Sequence, residues 1–409
     1  MDTEKRSSGH YLSAVVIWII TTLFVVYSFS LSTATGVFLP SVRESLGLSD
    51  IMATYVLQAF VIAYALMQIP AGYLIDNFRA RWVVSIGVSF LATGALVQSM
   101  SSTIGLFVAA NFIQGIGGAF SFIAAGALIG QWFPFKQFPI WFGLTQAVSC
   151  ILTGVIHSIF TDLIEVHSWN AIYRVLAFIG FALAALCFVF VRNPKTYTPI
   201  KQSFLKPLAA VLKNRQIWLF SAIGLTSFGV MLAYANVWLI EVQKYHAVSM
   251  LNSVRVSAYL FAGIGIGTPF LGWLSNVVKT RKGVLHTSLC IGTIFMLAAL
   301  YLPHFATPTL VIANTVSFGI GFFLSGSMLI YTCAGEIVSG SLRGMAIGLI
   351  NMFVFVGSTL ISSLPYMMVT SKVYYTKLWV IPVLLIISIA LVYFVKETYD
   401  SNKEQSVTT

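Results

Sequence analysis

The sequence predicts an all-α membrane protein with twelve transmembrane helices in two pseudo-symmetric six-helix bundles, and three observations carry that prediction. The 409 residues are 58% hydrophobic and only 9% charged, with a mean hydropathy of +0.89. Apolar stretches long enough to span a bilayer recur along the whole chain. A ten-residue pattern, Gly72-Tyr-Leu-Ile-Asp76-Asn-Phe-Arg79-Ala-Arg81, returns 200 positions later as Gly272-Trp-Leu-Ser-Asn276-Val-Val-Lys279-Thr-Arg281. The same offset pairs Val37 with Val237, Leu39 with Leu239 and Ser49 with Ser249, a gapless register that marks an internal repeat.

A hydrocarbon core of about 30 Å requires roughly 20 apolar residues per helix. Twelve such spans fit without overlap, at 13–38, 52–75, 82–100, 103–130, 139–160, 171–191, 216–239, 251–275, 284–302, 309–334, 344–369 and 378–395. The first is too long for a signal-peptide core and runs into Leu39-Pro40-Ser41-Val42-Arg43 without a small-residue cleavage pattern, so it is expected to remain as span 1. Span 4 holds Gly115, Gly117 and Gly118, and span 10 holds Gly319 and Gly321, where helices can approach closely and slide. Pro269 in span 8 and Pro365 in span 11 are expected to kink their helices. Between spans 6 and 7 the segment Arg192–Gln216 carries Pro194, Pro199 and Pro207 and no acidic residue. It divides the chain into an N-terminal bundle (1–191), a basic linker (192–216), and a C-terminal bundle with a short tail (217–409).

The net charge of +11 could signal a nucleic-acid partner in a soluble protein, but here its distribution reads as topology. With the N-terminus inside, 17 Lys and Arg fall on cytoplasmic segments and six outside, which puts both termini in the cytoplasm. The same basic surface suits anionic membrane lipids and implies no nucleic acid. Cys150, Cys187, Cys290 and Cys333 all lie within spans without metal-ligand spacing, so they read as small buried residues, and no cofactor or metal is expected. Gly115-Ile-Gly117-Gly118 lacks the dinucleotide-binding spacing and a preceding strand, and no phosphate loop appears. An enzyme is therefore not expected.

With the repeat and the loop motifs in place, the chain resembles the major facilitator superfamily, the secondary transporters built from two six-helix bundles. Gly72, Asp76, Arg79 and Arg81 match the family's loop between spans 2 and 3, and Gly272, Asn276, Lys279 and Arg281 match its degenerate echo between spans 8 and 9. The run from Glu336 through Arg343 to Gly348 is similar to the family's loop between spans 10 and 11, with Trp132 to Gly143 as its counterpart. The resemblance implies a conformational latch. Asp76, an anion at a helix end, would meet the start of span 11, and Arg343 would join the network with Glu336 as part of the same set. A solvated loop serving topology alone is the plain alternative. The chain departs from the family where Asn111 stands in place of the usual span 4 arginine, and where span 5 lacks the glycine-proline pair of many proton-driven drug exporters.

All twelve acidic residues fall outside the spans as drawn, so no intramembrane carboxylate is expected to couple transport to protons. His157, a proton carried by the substrate, Glu44 or Asp50 at the outer mouth, or uncoupled facilitation remain as alternatives. Gln146, Ser149, Thr153 and His157 form one stripe on span 5, and at an offset of 205 Asn351, Ser358 and Ser362 repeat it on span 11. Asn111 and Gln114 with Ser121 on span 4, and Asn314 and Ser317 with Ser325 on span 10, add further polar faces. Such faces avoid lipid and point to neighbouring helices or to an aqueous cavity. Tyr27 and Ser30, Gln58, Tyr234 and Tyr331 are additional cavity candidates, although packing or an interface belt explains each tyrosine equally well. Arg255, the repeat mate of Tyr55, would face an anionic substrate group if it entered the cavity, or snorkel to the outer surface if it did not.

These residues point to a small-molecule substrate that is polar, zwitterionic or anionic, imported by alternating access either with a proton or by facilitated diffusion. Export of a metabolite, metal chelator or drug by proton antiport is the alternative, and a non-transporting sensor of the same fold is the second class. The setting expected is a bacterial cytoplasmic membrane, with the protein acting as a monomer.

Overall fold

Apolar residues at nearly every turn leave the backbone no partner but itself, and the chain answers with helix after helix. The computed structural model describes residues 2–47, 50–195, 197, 203–239, 242–243, 250–304, 309–367 and 378–399. Expectations resting on the side chains of Asp50, Tyr55, Glu241, Lys244 and Pro365 lie outside the described residues, as does the pairing of Ser49 with Ser249. No strand occurs among the described residues.

The first six helices are α1 (Asp2–Leu46), α2 (Asp50–Asn77), α3 (Ala80–Ser99), α4 (Ile104–Trp132), α5 (Phe138–Val166) and α6 (Trp169–Phe190). A short amphipathic helix, α7 (Leu205–Lys213), follows in the linker. Span 7 is α8 (Arg215–Thr226), α9 (Phe228–Ala233) and a π-helical turn, Tyr234–Trp238. Spans 8 and 9 are α10 (Met250–Val277) and α11 (Arg281–Tyr301). Span 10 is α12 (Leu310–Leu324), a 3₁₀ turn (Ser325–Met328) and α13 (Leu329–Ile337); spans 11 and 12 are α14 (Arg343–Met367) and α15 (Val380–Val392). Among the described residues eleven helical segments are long and apolar enough to cross a membrane, and α15 is a shorter apolar helix. The protein is a multi-pass integral membrane protein.

The helices run past the apolar cores drawn from sequence, because a helix satisfies its own backbone groups beyond the hydrocarbon as well as within it. Glu44, Asp76, Asp162, Glu165 and Glu336, outside the spans drawn from sequence, therefore lie inside helices that outrun those spans. Asp76 and Glu336 are also buried.

The chain packs as two units. Unit 1 comprises Met1–Phe138, Leu152–Leu208 and Gly340–Gly348, and unit 2 comprises Pro139–Ile151, Ala209–Ser339 and Leu349–Thr409. In unit 1 the backbone of α2 meets α4 at Gly115, where an added Cβ would fall on the Phe60 carbonyl. Unit 2 repeats this between α10 and α12, where a Cβ at Gly321 would fall on the carbonyl of Leu260, 200 positions after Phe60. Lipid tails supply no hydrophobic drive between helices, so such close backbone approach is how membrane helices gain packing energy. Tyr27 ties α1 to α6 by donating to the Leu176 carbonyl at 2.8 Å, and Trp238 ties the π turn to α14 by donating to the Ile361 carbonyl at 3.1 Å.

Candidate functional site

The repeated loop is built differently in the two units. In unit 1, Asp76 sits one residue before the end of α2, buried, and its two carboxylate oxygens accept the backbone N–H groups of Gly344 and Met345, each at 3.0 Å. These N–H groups open α14 and have no partner within their helix, so a carboxylate there satisfies orphan donors and meets the positive end of the helix. Backbone approach makes this possible: a Cβ at Gly344 would lie 2.7 Å from the Gly72 carbonyl and 2.8 Å from the Asp76 carboxylate. Arg343 donates to the Gly130 carbonyl at 3.4 Å. Tyr197, from the linker, donates to the Asp76 carbonyl at 2.7 Å; burial, then the Asp76 charge, push its hydroxyl up to about 12.

Arg79 is exposed, and Arg81 is half-buried. The Arg81 guanidinium donates to the Phe188 carbonyl at 3.0 Å and lies 4.5 Å over the Phe188 ring. In unit 2 the matching arginine is fully buried. Arg281 forms an ion pair with Glu336 at 3.1 Å and donates to Ser275 at 2.5 Å and Asn276 at 2.7 Å. Lys279 is exposed and adopts a φ of 55°, left-handed for a non-glycine residue.

A part of this network escaped the sequence reading. Glu397, just past α15, accepts from the Thr280 hydroxyl and from the N–H groups of Arg281 at 2.9 Å and Lys282 at 3.1 Å, capping α11; Thr398 donates to Glu336. Burial raises the Glu397 carboxyl, but the Thr280 hydroxyl and the N–H groups of Arg281, Tyr399 and Lys282 together bring it below the usual range. Unit 1 uses a neutral version: Asn193, just past α6, accepts from the Ala80 N–H of α3 at 2.9 Å and donates to Gln131 at 2.9 Å. The pairing of Asn193 with Glu397 and of Gln131 with Glu336, at offsets of 204 and 205, was available in the repeat.

The polar faces divide into tied and open groups. Asn111 is buried, accepts from Thr35 at 3.1 Å and donates to the Phe107 carbonyl at 3.1 Å; Thr35 also meets Tyr173 at 3.1 Å. Gln114 is buried against Gln98. Tyr27 is held by Leu176, and Gln58 is half-buried. In unit 2, Tyr331 donates to Asn351 at 2.9 Å and packs on Phe142 of α5 with ring centroids 5.5 Å apart. Tyr234 is buried where the π turn opens, and Tyr331 follows the 3₁₀ turn by three residues. Asn314 is half-buried, with no hydrogen-bond partner for its Oδ1 among the described residues.

The stripe on α5 passes from buried to open. Gln146 donates to Cys150 at 3.2 Å and, like Ser149, is buried; Thr153 is half-buried and His157 exposed. His157, Thr161 and Glu165 are spaced four apart and exposed, on the side of the helix opposite the exposed Val155 and Ile159. The outer half of α5 therefore has an apolar open face and a polar open face, and only the first suits lipid. Arg255 behaves otherwise. It shares one exposed face of α10 with Tyr259, Ile266 and Trp273, which fits snorkelling along a lipid-facing stripe.

A protein-family model described as Major Facilitator Superfamily matches residues 18–333. The probable galactarate/D-glucarate transporter GarP of Escherichia coli (strain K12) is 27% identical over 211 residues, covering 50% of this chain and 47% of that protein. GudP of Bacillus subtilis (strain 168), also named a probable galactarate/D-glucarate transporter, is 24% identical over 207 residues, 49% and 45% of the two chains. The chain thus spans about half the length of these two relatives. The hexuronate transporter of Escherichia coli (strain K12) is 23% identical over 363 residues, 78% and 79% of the two chains. Among solved structures, FucP in the outward conformation is similar at a TM-score of 0.72 with 14% identity, covering 94% of this chain and 100% of that one. XylE, a proton:xylose symporter, is similar at 0.70 with 12% identity, covering 96% and 99%.

Proposed function

We propose, for a chain that belongs to the Major Facilitator Superfamily, that it imports a small hydroxylated organic acid by alternating access, together with a proton. The observation that carries the reading is the exposed polar face of α5, on which His157 stands opposite an exposed apolar face. A carboxylate entering a low-dielectric path is costly unless a cation meets it. Arg255 shares its exposed face with Tyr259, Ile266 and Trp273, a face that suits lipid, so His157 is the group we assign to that role. An imidazolium pairs with the substrate carboxylate and, unlike a guanidinium, releases its proton near neutral pH. Proton and acid then travel as a neutral pair.

The hydroxyl groups of such a substrate need donors and acceptors that carry no charge. Gln146 on α5, Tyr234 at the π turn, and the Tyr331–Asn351 pair supply them in unit 2. Backbone irregularity within a span persists where it lines a cavity or is buried in protein, and both tyrosines adjoin such irregularity. The names of the relatives, transporters of galactarate, glucarate and hexuronate, support an acidic sugar derivative as the class. The Asp76 cap on α14 serves as the conformational latch, and both termini lie on the cytoplasmic side of a bacterial inner membrane.

Counterflow in proteoliposomes tests the reading with a panel of hexuronates, aldarates, neutral hexoses and organic cations. Exchange of the acids with no exchange of hexoses or cations is expected. Exchange of hexoses or cations with none of the acids would refute it, and no exchange of any member would return the chain to the sensor class.

A further inference from the structure

Three cations line one surface cleft of unit 2, and no carboxylate is among its lining residues. The cleft, of about 510 Å³, is bounded by Lys213, Asn214, Arg215, Gln216, Phe394 and Lys396. Its floor is fixed by Gln216, which donates to the Phe394 carbonyl at 3.3 Å and accepts the Lys396 N–H at 3.0 Å. That pair of bonds holds the start of α8 against the chain leaving α15, and so sets Arg215 and Lys396 side by side. Asn214 is occupied in accepting the Gln216 N–H at 3.0 Å. Among the described residues, the side chains of Lys213, Arg215 and Lys396 have neither an ion pair nor a hydrogen bond.

The rim of the cleft is apolar and open. Phe394, in the lining, is 64% exposed; close to lining residues along the chain, Tyr393 is 66% and Trp218 41% exposed, and Leu212 of α7 is exposed too. Large aromatic rings at the end of a membrane span mark the level of the lipid headgroups. A free inorganic anion would satisfy the cations and leave these rings in water. An amphiphile with an anionic head satisfies both.

We propose that this cleft is a binding site for the headgroup of an anionic phospholipid, with the phosphate between Lys213, Arg215 and Lys396 and the glycerol and upper acyl chain against Phe394 and Trp218. The site joins the linker helix α7, the first helix of span 7 and the end of span 12. A bound lipid therefore fastens the linker to unit 2.

Native mass spectrometry of the purified full chain, titrated with phosphatidylglycerol or with phosphatidylcholine of the same acyl chains, tests this without any transport measurement. Wild type is expected to retain phosphatidylglycerol in preference to phosphatidylcholine. Each of Lys213→Gln, Arg215→Gln and Lys396→Gln is expected to weaken phosphatidylglycerol by about fivefold, the worth of one cation near a charged surface. The triple variant should bind both lipids alike, and Lys136→Gln with Lys195→Gln, exposed cations of unit 1, should leave the preference intact. Equal retention of the two lipids by wild type would overturn the proposal, as would an unchanged preference in the single and triple variants. Displacement of the lipid by glycerophosphate at equal concentration would identify a free-anion site instead and would also overturn it.

Discussion

Asp76 is a carboxylate whose two oxygens each hold one backbone N–H, and that geometry is what a substitution would break. Asparagine offers one acceptor and sets an amide N–H₂ against the other donor, leaving a buried N–H unsatisfied. Asp76→Asn is expected to cost about 1–3 kcal/mol, the range for a buried polar group left unpaired, read as a lower melting temperature in detergent and impaired uptake with normal membrane insertion. Gly344→Ala should act in the same direction, because its Cβ would press on the carboxylate and on Ile75. The spacing of Gly72, Asp76 and the two arginines announced this loop, but not what each cation does. Arg81 and Arg281 hold equivalent positions, yet one rests on the Phe188 ring and the other is fully buried against Glu336. The repeat mates Gln131 and Glu336 differ in the same sense: among the described residues Arg81 has no ion pair, whereas Glu336 pairs with Arg281.

Helix ends are one place where the elements of the two halves diverge. The α3 start is capped by the neutral Asn193 and the α11 start by the charged Glu397, which also meets the positive end of the helix. Glu397→Gln is expected to destabilise unit 2 at neutral pH. Because the folded carboxyl titrates below its ordinary range, its stabilisation is present above the unfolded value of about 4.3 and fades as pH falls through the folded one. The melting temperatures of wild type and Glu397→Gln should therefore converge as the pH drops below about 4. Within the helices, Gly115→Ala and Gly321→Ala should each cost about 1–3 kcal/mol by overpacking, measured as loss of folded protein on heating. The equivalent close approaches to Phe60 and Leu260 predict similar losses in the two variants. Periodicity and span length made the helices legible, but an apolar run long enough to span does not reveal the π turn at Tyr234 or the 3₁₀ turn at Ser325.

At the scale of the molecule, the repeat made the architecture legible, because two copies of one apolar pattern leave little choice of fold. The candidate site was less so. Polar stripes on α4 and α5 look alike in sequence, but Asn111 is tied to Thr35 and Phe107 and the buried Gln114 donates to Gln98, whereas His157 is exposed. Exposure is a property of the assembled helices, so no count of i, i+3 and i+7 could separate a buried, hydrogen-bonded amide from an exposed imidazole. That separation gives the coupling prediction its form. If His157 carries the proton that neutralises the substrate carboxylate, its removal should uncouple transport without preventing substrate from crossing. In proteoliposomes an inside-alkaline gradient should drive accumulation of an acidic sugar by wild type and produce none with His157→Gln. Counterflow at equal pH on both sides should persist in the variant, slowed by roughly ten- to a hundredfold, since the site then lacks one charge-assisted hydrogen bond worth about 1.5–3 kcal/mol. Gradient-driven accumulation by His157→Gln equal to wild type would remove the histidine from the coupling step. Loss of counterflow together with accumulation would instead make it a binding residue whose protonation does not matter.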